Sequence, residues 1–316
     1  MVTPLRGRDE LDLAGLERLI EHILKGGVSG LFILGTTGEG PSLSYRLRRE
    51  LIQRTCQQVR RRVPVLVGIT DTAFVESVSL ARHAAEVGAD ALVLAPPYYL
   101  PESQPELQEY LDHLVAELPL PLFLYNMPAL TKVQYEMGVL RWAIAKPRIV
   151  GLKDSSRSMS YFQEAVGLLK DRPDWSLLIG SEELLAEALL AGGHGGVPGG
   201  ANLFPGLYVQ LCEATCNGDV PRSRQLHAQV IEVGSSLYHI GHHASSVIKG
   251  IKCALSCMGV CDDFMAEPFH RFRTEERARV QERLASLTAS VEKLVSNHHP
   301  VDAGRPSLPL QPTSQA

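Results

Sequence analysis

The chain has 316 residues, 31 basic against 35 acidic side chains, a formal charge of −4, and 45% apolar residues. That apolar fraction excludes a disordered chain. No run approaches the roughly 18–20 apolar residues needed to span a bilayer, which excludes a helical membrane protein, and near-neutral charge without a long basic block argues against nucleic acid as the main partner. The length fits two average domains, or one α/β barrel of about 250 residues with an appendage. The opening MVTPLRGRDE has no apolar stretch of signal-peptide type, so no export is expected.

In chain order, Val2–Leu5 reads as the unusually short stub of a first strand, with the start expected to fall inside it. Short apolar runs then recur at Leu31–Leu34, Val63–Ile69, Ala91–Ala95, Leu120–Tyr125, Ile149–Leu152, Trp175–Ile179 and Gly195–Val197. Bounded runs of this kind read as buried parallel strands. Between them lie helix-like segments at Leu13–Lys25, Ser44–Arg61, Val75–Val87, Glu106–Glu117, Met159–Leu169 and Leu184–Ala191. Ser44 is placed to cap its helix, with the arginines that follow facing water. Strand–helix alternation at this period means βαβ units, and eight of them predict a (β/α)8 TIM barrel over residues 1–220. A doubly wound open sheet is the alternative, but it would carry a G-x-G-x-x-G turn that this chain lacks.

Beyond residue 220 the strand signal stops. Arg222–Tyr238, His243–Met258 and Glu275–Ser296 read as a C-terminal helical region over 221–297, and the Pro-, Ser- and Gln-rich stretch 298–316 is expected to be disordered. Six cysteines (Cys56, Cys212, Cys216, Cys253, Cys257, Cys261) form no C-x-x-C pair. They read as small buried thiols rather than metal ligands, and a reducing cytoplasm is the expected compartment.

In a barrel, reactive groups sit where strands end and βα loops begin. Lys153 is the informative residue. The chain has eight lysines against 23 arginines, and most lysines fall in helices, where a solvated face explains them. Lys153 instead ends a strand, which points it into the barrel mouth. Burying an ammonium is costly unless it is paired or neutral, and a desolvated lysine presents a free amine that attacks carbonyls. The alternative is a lysine paired with Asp154 or with a glutamate across the barrel. Gly35-Thr36-Thr37-Gly38 offers backbone N–H groups and two hydroxyls in a pocket sized for a carboxylate, or is a plain strand-to-helix turn. Tyr125 is placed to move a proton near Lys153, or simply packs. Glu39 is either a base or a carboxylate at a helix start. His242 and His243 read as surface or interface residues.

Taken together, GTTGE at 35–39, PPYY at 96–99, YNMP at 125–128 and GLKD at 151–154 resemble the dihydrodipicolinate synthase / N-acetylneuraminate lyase family of pyruvate-dependent aldolases, over roughly residues 2–295. The resemblance implies that Lys153 forms a Schiff base with pyruvate or another 2-oxo acid. It implies that Thr36 and Thr37 hold the carboxylate and that Tyr125 relays protons. Thr37 would link Tyr125 to Tyr99, which reaches in from a neighbouring subunit of a homotetramer built from dimers. No metal or organic cofactor is implied. Gly180, Ser155, Glu182, Glu183, Val197 and Asn202 complete the expected substrate-binding set.

Two departures bear on the aldehyde partner. Dihydrodipicolinate synthases carry an arginine five residues beyond the YNxP tyrosine, and this chain has Leu130 there, so the bidentate contact to a second carboxylate is lost. Ala129-Leu130 resembles sialic acid lyases, yet those carry a serine where this chain has Thr36 and a hydroxyl near Gly199. Glu182, Glu183, Ser155 and Asn202 suit a hydroxylated substrate, so the expectation is a 2-keto-3-deoxy sugar acid, with dihydrodipicolinate synthase and N-acetylneuraminate lyase activities as alternatives. Two other classes remain: a non-catalytic 2-oxo acid sensor on the same barrel, and a phosphate-binding barrel enzyme. The latter has the glycine-rich 192–200 segment in its favour, against the repulsion of Glu182 and Glu183.

Overall fold

A computed structural model describes residues 1–296. An antiparallel hairpin, β1 (Leu5–Gly7) with β2 (Glu10–Leu11), precedes α1 (Leu13–Lys25). Seven parallel strands follow: β3 (Leu31–Ile33), β4 (Val65–Gly68), β5 (Ala91–Leu94), β6 (Leu122–Asn126), β7 (Ile149–Asp154), β8 (Ser176–Ile179) and β9 (Gly195–Gly196). They pair strictly in sequence order. The intervening helices are α2 (Tyr45–Val59), α3 (Phe74–Glu86), α4 (Gln104–Glu117), α5 (Pro128–Thr131), α6 (Met137–Ile144), α7 (Met159–Leu168) and α8 (Leu185–Leu190). This curled sheet ringed by helices is the TIM-barrel architecture the alternation predicted. Helices α9 (Pro205–Cys216), α10 (Val220–Leu237), α11 (Ser246–Cys257) and α12 (Thr274–Ser296) complete the C-terminal part. The expected tail, 298–316, lies outside the described residues.

The eighth strand is the first correction. Val2–Leu5 forms no parallel ladder. The Met1 amine donates to the Phe32 carbonyl at 2.6 Å, Val2 N–H to Asn202 Oδ1 at 2.9 Å, and Thr3 Oγ1 to the Gly38 carbonyl at 2.6 Å. Pro4 has no N–H to donate, and Leu5 already belongs to the hairpin. Single hydrogen bonds to β3, to the turn that follows it and to Asn202 therefore stand where a ladder was expected.

The helices begin and end for local reasons. Asp12 caps α1 by accepting from Gly15 N–H, Ser44 caps α2 through Leu47 N–H, and Ser103 with Glu106 closes a capping box on α4. Arg48, expected in water, is buried and pairs with Asp71 at 2.9 Å. Short helices α5 and α6 between β6 and β7, and α9, are not among the elements the sequence pattern predicts. Each carries too few periodic positions, or too even a distribution of apolar residues, to announce one face.

Two apolar clusters result. The larger fills the space between sheet and helices. The smaller fills the barrel interior with Phe32, Ala91, Val93, Ala95, Phe123 and Tyr125. Glu39 joins the helical region to the barrel. Its carboxylate accepts from Lys252 Nζ on α11 at 2.7 Å and from Ala266 N–H at 2.8 Å, and both side chains are almost wholly buried. It is thus neither base nor helix-start charge. Lys252, expected on a solvated face, has no exposure at all.

Candidate active site

Strand β7 runs two residues further than the apolar run indicated, through Lys153 and Asp154. Its register sets Lys153 beside Tyr125 on β6 and beside Leu178 on β8. Strand neighbours in register project to the same face, so Lys153 and Tyr125 enter the barrel together. Lys153 is only 8% exposed. Its ammonium lies 4.1 Å from the Tyr125 ring centroid and 4.9 Å from that of Phe32. Among the described residues no carboxylate lies within ion-pair distance of it. The neighbouring Asp154 is engaged elsewhere. Asn126 Nδ2 donates to it at 2.8 Å, Ser156 N–H at 3.0 Å and Ser156 Oγ at 2.9 Å.

Gly180 makes room for this arrangement. A Cβ there would stand 2.0 Å from Ser155 Oγ and 2.9 Å from Lys153 Cε, so any side chain would displace the lysine. The turn after β3 is built on a similar close approach. Leu34 is left-handed at φ 59°, and its carbonyl passes so near Gly40 and Gly68 that a Cβ would come within 2.3 and 2.5 Å. That turn presents Thr36 and Thr37, both half-buried.

The hydroxyl that reaches Tyr125 is Thr36, with Oγ1 at 3.1 Å from the phenolic oxygen. The expected link through Thr37 is corrected accordingly. Thr36 lies nearer the tight part of the turn, and Thr37 faces toward Gly199 instead. Burial pushes the Tyr125 phenol up, but the Lys153 charge and hydrogen bonds from Thr36, Ser155 and Lys153 outweigh it, so the phenol sits below its ordinary range. A tyrosine held this way gives up and takes back a proton readily. The Met1 amine also enters this interior. Burial and the Lys153 charge push it down to about 5, so it is uncharged at neutral pH.

Two members of the expected substrate set are consumed by the fold. Glu182 is buried, and its carboxylate accepts from Gly200 N–H at 2.8 Å, Tyr208 hydroxyl at 2.9 Å and Tyr238 hydroxyl at 2.7 Å. Burial raises its carboxyl more than these donors lower it. Asn202 spends its carbonyl on Val2 N–H and its amide on the Gly199 carbonyl. The carboxyl and amide types were legible as polar groups after strands; their long-range partners were not. Glu183 stays half-buried at the rim, and Val197 packs against the barrel-interior cluster. Tyr99 is 83% exposed, beside an exposed Leu100. Two grooves of about 340 and 460 Å³ lie on the outer helices and contain none of these residues.

An interior lysine at the C-terminal end of a barrel strand, flanked by a tyrosine and a threonine-bearing turn, is the arrangement expected of one family. The model of the dihydrodipicolinate synthetase family matches residues 1–287. The chain belongs to that family. Among its relatives, a putative 2-dehydro-3-deoxy-D-gluconate aldolase, YagE of Escherichia coli K12, is 32% identical over 76% of this chain and 80% of that protein. A 4-hydroxy-tetrahydrodipicolinate synthase of Ralstonia nicotianae is 31% identical over 82% and 86%. Among solved structures, a dihydrodipicolinate synthase from Bacteroides thetaiotaomicron is 51% identical with a TM-score of 0.88, covering 90% of this chain and 96% of that one. The chain is accordingly an enzyme, a pyruvate-dependent Schiff-base aldolase or lyase. No helix among the described residues is long and apolar enough to cross a membrane.

Proposed function

We propose that Lys153 is the Schiff-base lysine and that the chain condenses or cleaves pyruvate with a hydroxylated aldehyde, making or breaking a 2-keto-3-deoxy sugar acid. The observation that carries the reading is the buried, carboxylate-free Lys153 set against a Tyr125 phenol whose proton is loosened. The Tyr125 oxygen accepts the proton that Lys153 must shed before attack. The amine adds to the keto carbon, Tyr125 returns that proton to the carbinolamine hydroxyl so that it leaves as water, and the resulting iminium draws electrons from the neighbouring methyl carbon. The Tyr125 oxygen takes a methyl proton to give the enamine, whose carbon attacks the aldehyde; the new alkoxide takes that proton back from Tyr125, and water hydrolyses the product iminium to free Lys153. Cleavage is the same sequence reversed.

Thr37 and the N–H groups of the 35–38 turn hold the pyruvate carboxylate, which fixes the keto carbon for attack. Ser155 and Gly180 shape the space beside the imine. Leu130, half-exposed on α5, offers no charge to a second carboxylate. This disfavours aspartate semialdehyde as the aldehyde.

Tyr99 and Leu100, both largely exposed, support a homotetramer in which Tyr99 of one subunit completes the site of another. All six cysteines are free, which supports a reducing cytoplasm. We divide the chain at residue 220, with the chemistry in the barrel. Sodium borohydride with pyruvate should leave a mass increase confined to Lys153; an adduct that persists in Lys153→Ala would overturn the assignment. A second reading, 4-hydroxy-tetrahydrodipicolinate synthase, is favoured by the 51% identity to a structure bearing that name. Pyruvate consumption with aspartate semialdehyde, N-acetylmannosamine, glyceraldehyde and glyoxylate decides between them.

A further inference from the structure

Strands β6 and β7 each end on a buried polar side chain that the proposed chemistry does not use. Side chains alternate along a strand. Asn126 and Asp154, each one residue past Tyr125 and Lys153, therefore point away from the barrel interior, toward the surrounding helices. Neither residue has any exposure. They stand opposite one another in the register, and Asn126 Nδ2 donates to Asp154 Oδ1 at 2.8 Å. Asn126 Oδ1 accepts from Tyr135 N–H at 3.2 Å, and the Asp154 carboxylate accepts twice more from Ser156. Burial still raises the Asp154 carboxyl more than these donors lower it. The fold keeps an acidic group beneath its helices, where burial opposes the charge.

The register of the two strands shows what this arrangement secures. Leu122 pairs with Ile149, but the next residue, Phe123, pairs with Gly151, so Val150 bulges from the ladder. The pairing thus shifts by one residue near its start. A shift of one residue exchanges the two faces of a strand. The same shift at the far end would turn Lys153 out beneath the helices and bring Asp154 into the mouth. Backbone bonds continue there, from Ser155 N–H to the Asn126 carbonyl at 2.8 Å and from Gly180 N–H to the Asp154 carbonyl at 2.6 Å. The Asn126–Asp154 contact adds a side-chain bond across the same pair of residues. Register is therefore fixed twice, one residue beyond the point where Lys153 faces Tyr125.

We propose that Asn126 and Asp154 are positioning residues whose hydrogen bond locks the ends of β6 and β7 in register and so holds the Lys153 amine against Tyr125. Neither side chain touches the reacting atoms. The clamp requires an acceptor at Asp154 and not a charge. This role deepens the function proposed above and rests on its assignment of Lys153.

The test measures the rate at which borohydride with pyruvate labels Lys153, per folded molecule, in wild type, Asn126→Leu, Asp154→Asn and the double variant Asn126→Leu/Asp154→Leu. Asn126→Leu keeps the volume and loses the hydrogen bond. Its labelling rate should fall about a hundredfold, the loss that about 1 Å of misplacement carries. The Tyr125 phenol, lowered in part by the Lys153 charge, should rise as the amine withdraws, moving the alkaline limb of kcat/KM to higher pH. Asp154→Asn still offers Asn126 an acceptor and should stay within about threefold of wild type. The double variant removes both partners and leaves no unpaired carboxylate, so it carries the test if Asn126→Leu does not fold; it should show the same loss. A lower urea midpoint with an unmoved labelling rate and alkaline limb would mean a merely structural pair and overturn the inference. Asp154→Asn as slow as Asn126→Leu would overturn it too, since charge would then be what matters. Absence of a pyruvate adduct on wild-type Lys153 would instead overturn the assignment of that lysine.

Discussion

Two buried lysines in this chain meet opposite fates. Lys252 sits under the loop after β3 with no exposure, 2.7 Å from Glu39 and donating also to the Phe264 carbonyl. Lys153, nearly as buried, has ring faces of Phe32 and Tyr125 around its ammonium and no carboxylate within reach among the described residues. A desolvated cation over an aromatic face gains only about 0.5–2 kcal/mol. That is too little to tie up the amine. A buried ion pair instead holds the nitrogen as an ammonium, which has no lone pair to offer a carbonyl. The first lysine fastens α11 to the barrel; the second is the one we propose meets the carbonyl.

The sharpest break of this comparison exchanges the roles. Lys153→Ala should abolish turnover, by roughly four orders of magnitude or more, and with it the pyruvate adduct, while the urea midpoint stays close to wild type. A large fall in the midpoint would mean that Lys153 is a structural lysine like Lys252. Lys252→Met should do the reverse. It leaves Glu39 charged, buried and unpaired, which costs about 3–5 kcal/mol, read as an earlier urea transition. The same variant should still trap pyruvate on Lys153 below that transition.

Glu182→Gln comes next in size. The carboxylate accepts from three donors, and a carboxamide cannot accept on both arms, so Gly200 N–H or the paired Tyr208 and Tyr238 hydroxyls lose their acceptor. Leaving one such group unsatisfied costs about 1–3 kcal/mol. The loss should show in urea unfolding, with the KM for aldehyde unchanged. A raised KM without a stability loss would return Glu182 to the substrate-binding set.

Why one lysine was legible in the sequence and the other was not is a matter of distance along the chain. Lys153 ends an apolar run, and a strand end in a βα array has one destination, the mouth. The same logic found Tyr125, Ser155 and the Thr36–Thr37 turn. Lys252 lies on a helix, where periodicity assigns a face but not a partner, and its partner Glu39 is 213 residues away. Glu182 and Asn202 failed for the same reason, since Tyr238 and Val2 reach them from 56 and 200 residues off.

The smallest expected effect probes the proton on Tyr125. Its phenol lies below the ordinary range because the Lys153 charge and the Thr36 and Ser155 hydrogen bonds favour the phenolate over the opposing effect of burial. If protonated Tyr125 delivers a proton to the aldehyde oxygen, activity is present below that phenol's pKa and is lost as pH rises through it. Thr36→Val removes one hydrogen bond that stabilises the phenolate, so the phenol is raised and the alkaline limb of kcat/KM should move to higher pH. Ser155→Ala should move it the same way. Each change removes one side-chain hydrogen bond and keeps the backbone, so the unfolding free energy from urea titration is expected to fall by no more than about 1 kcal/mol, the net worth of one hydrogen bond. An alkaline limb that stays in place in both variants would show that Tyr125 does not supply the proton.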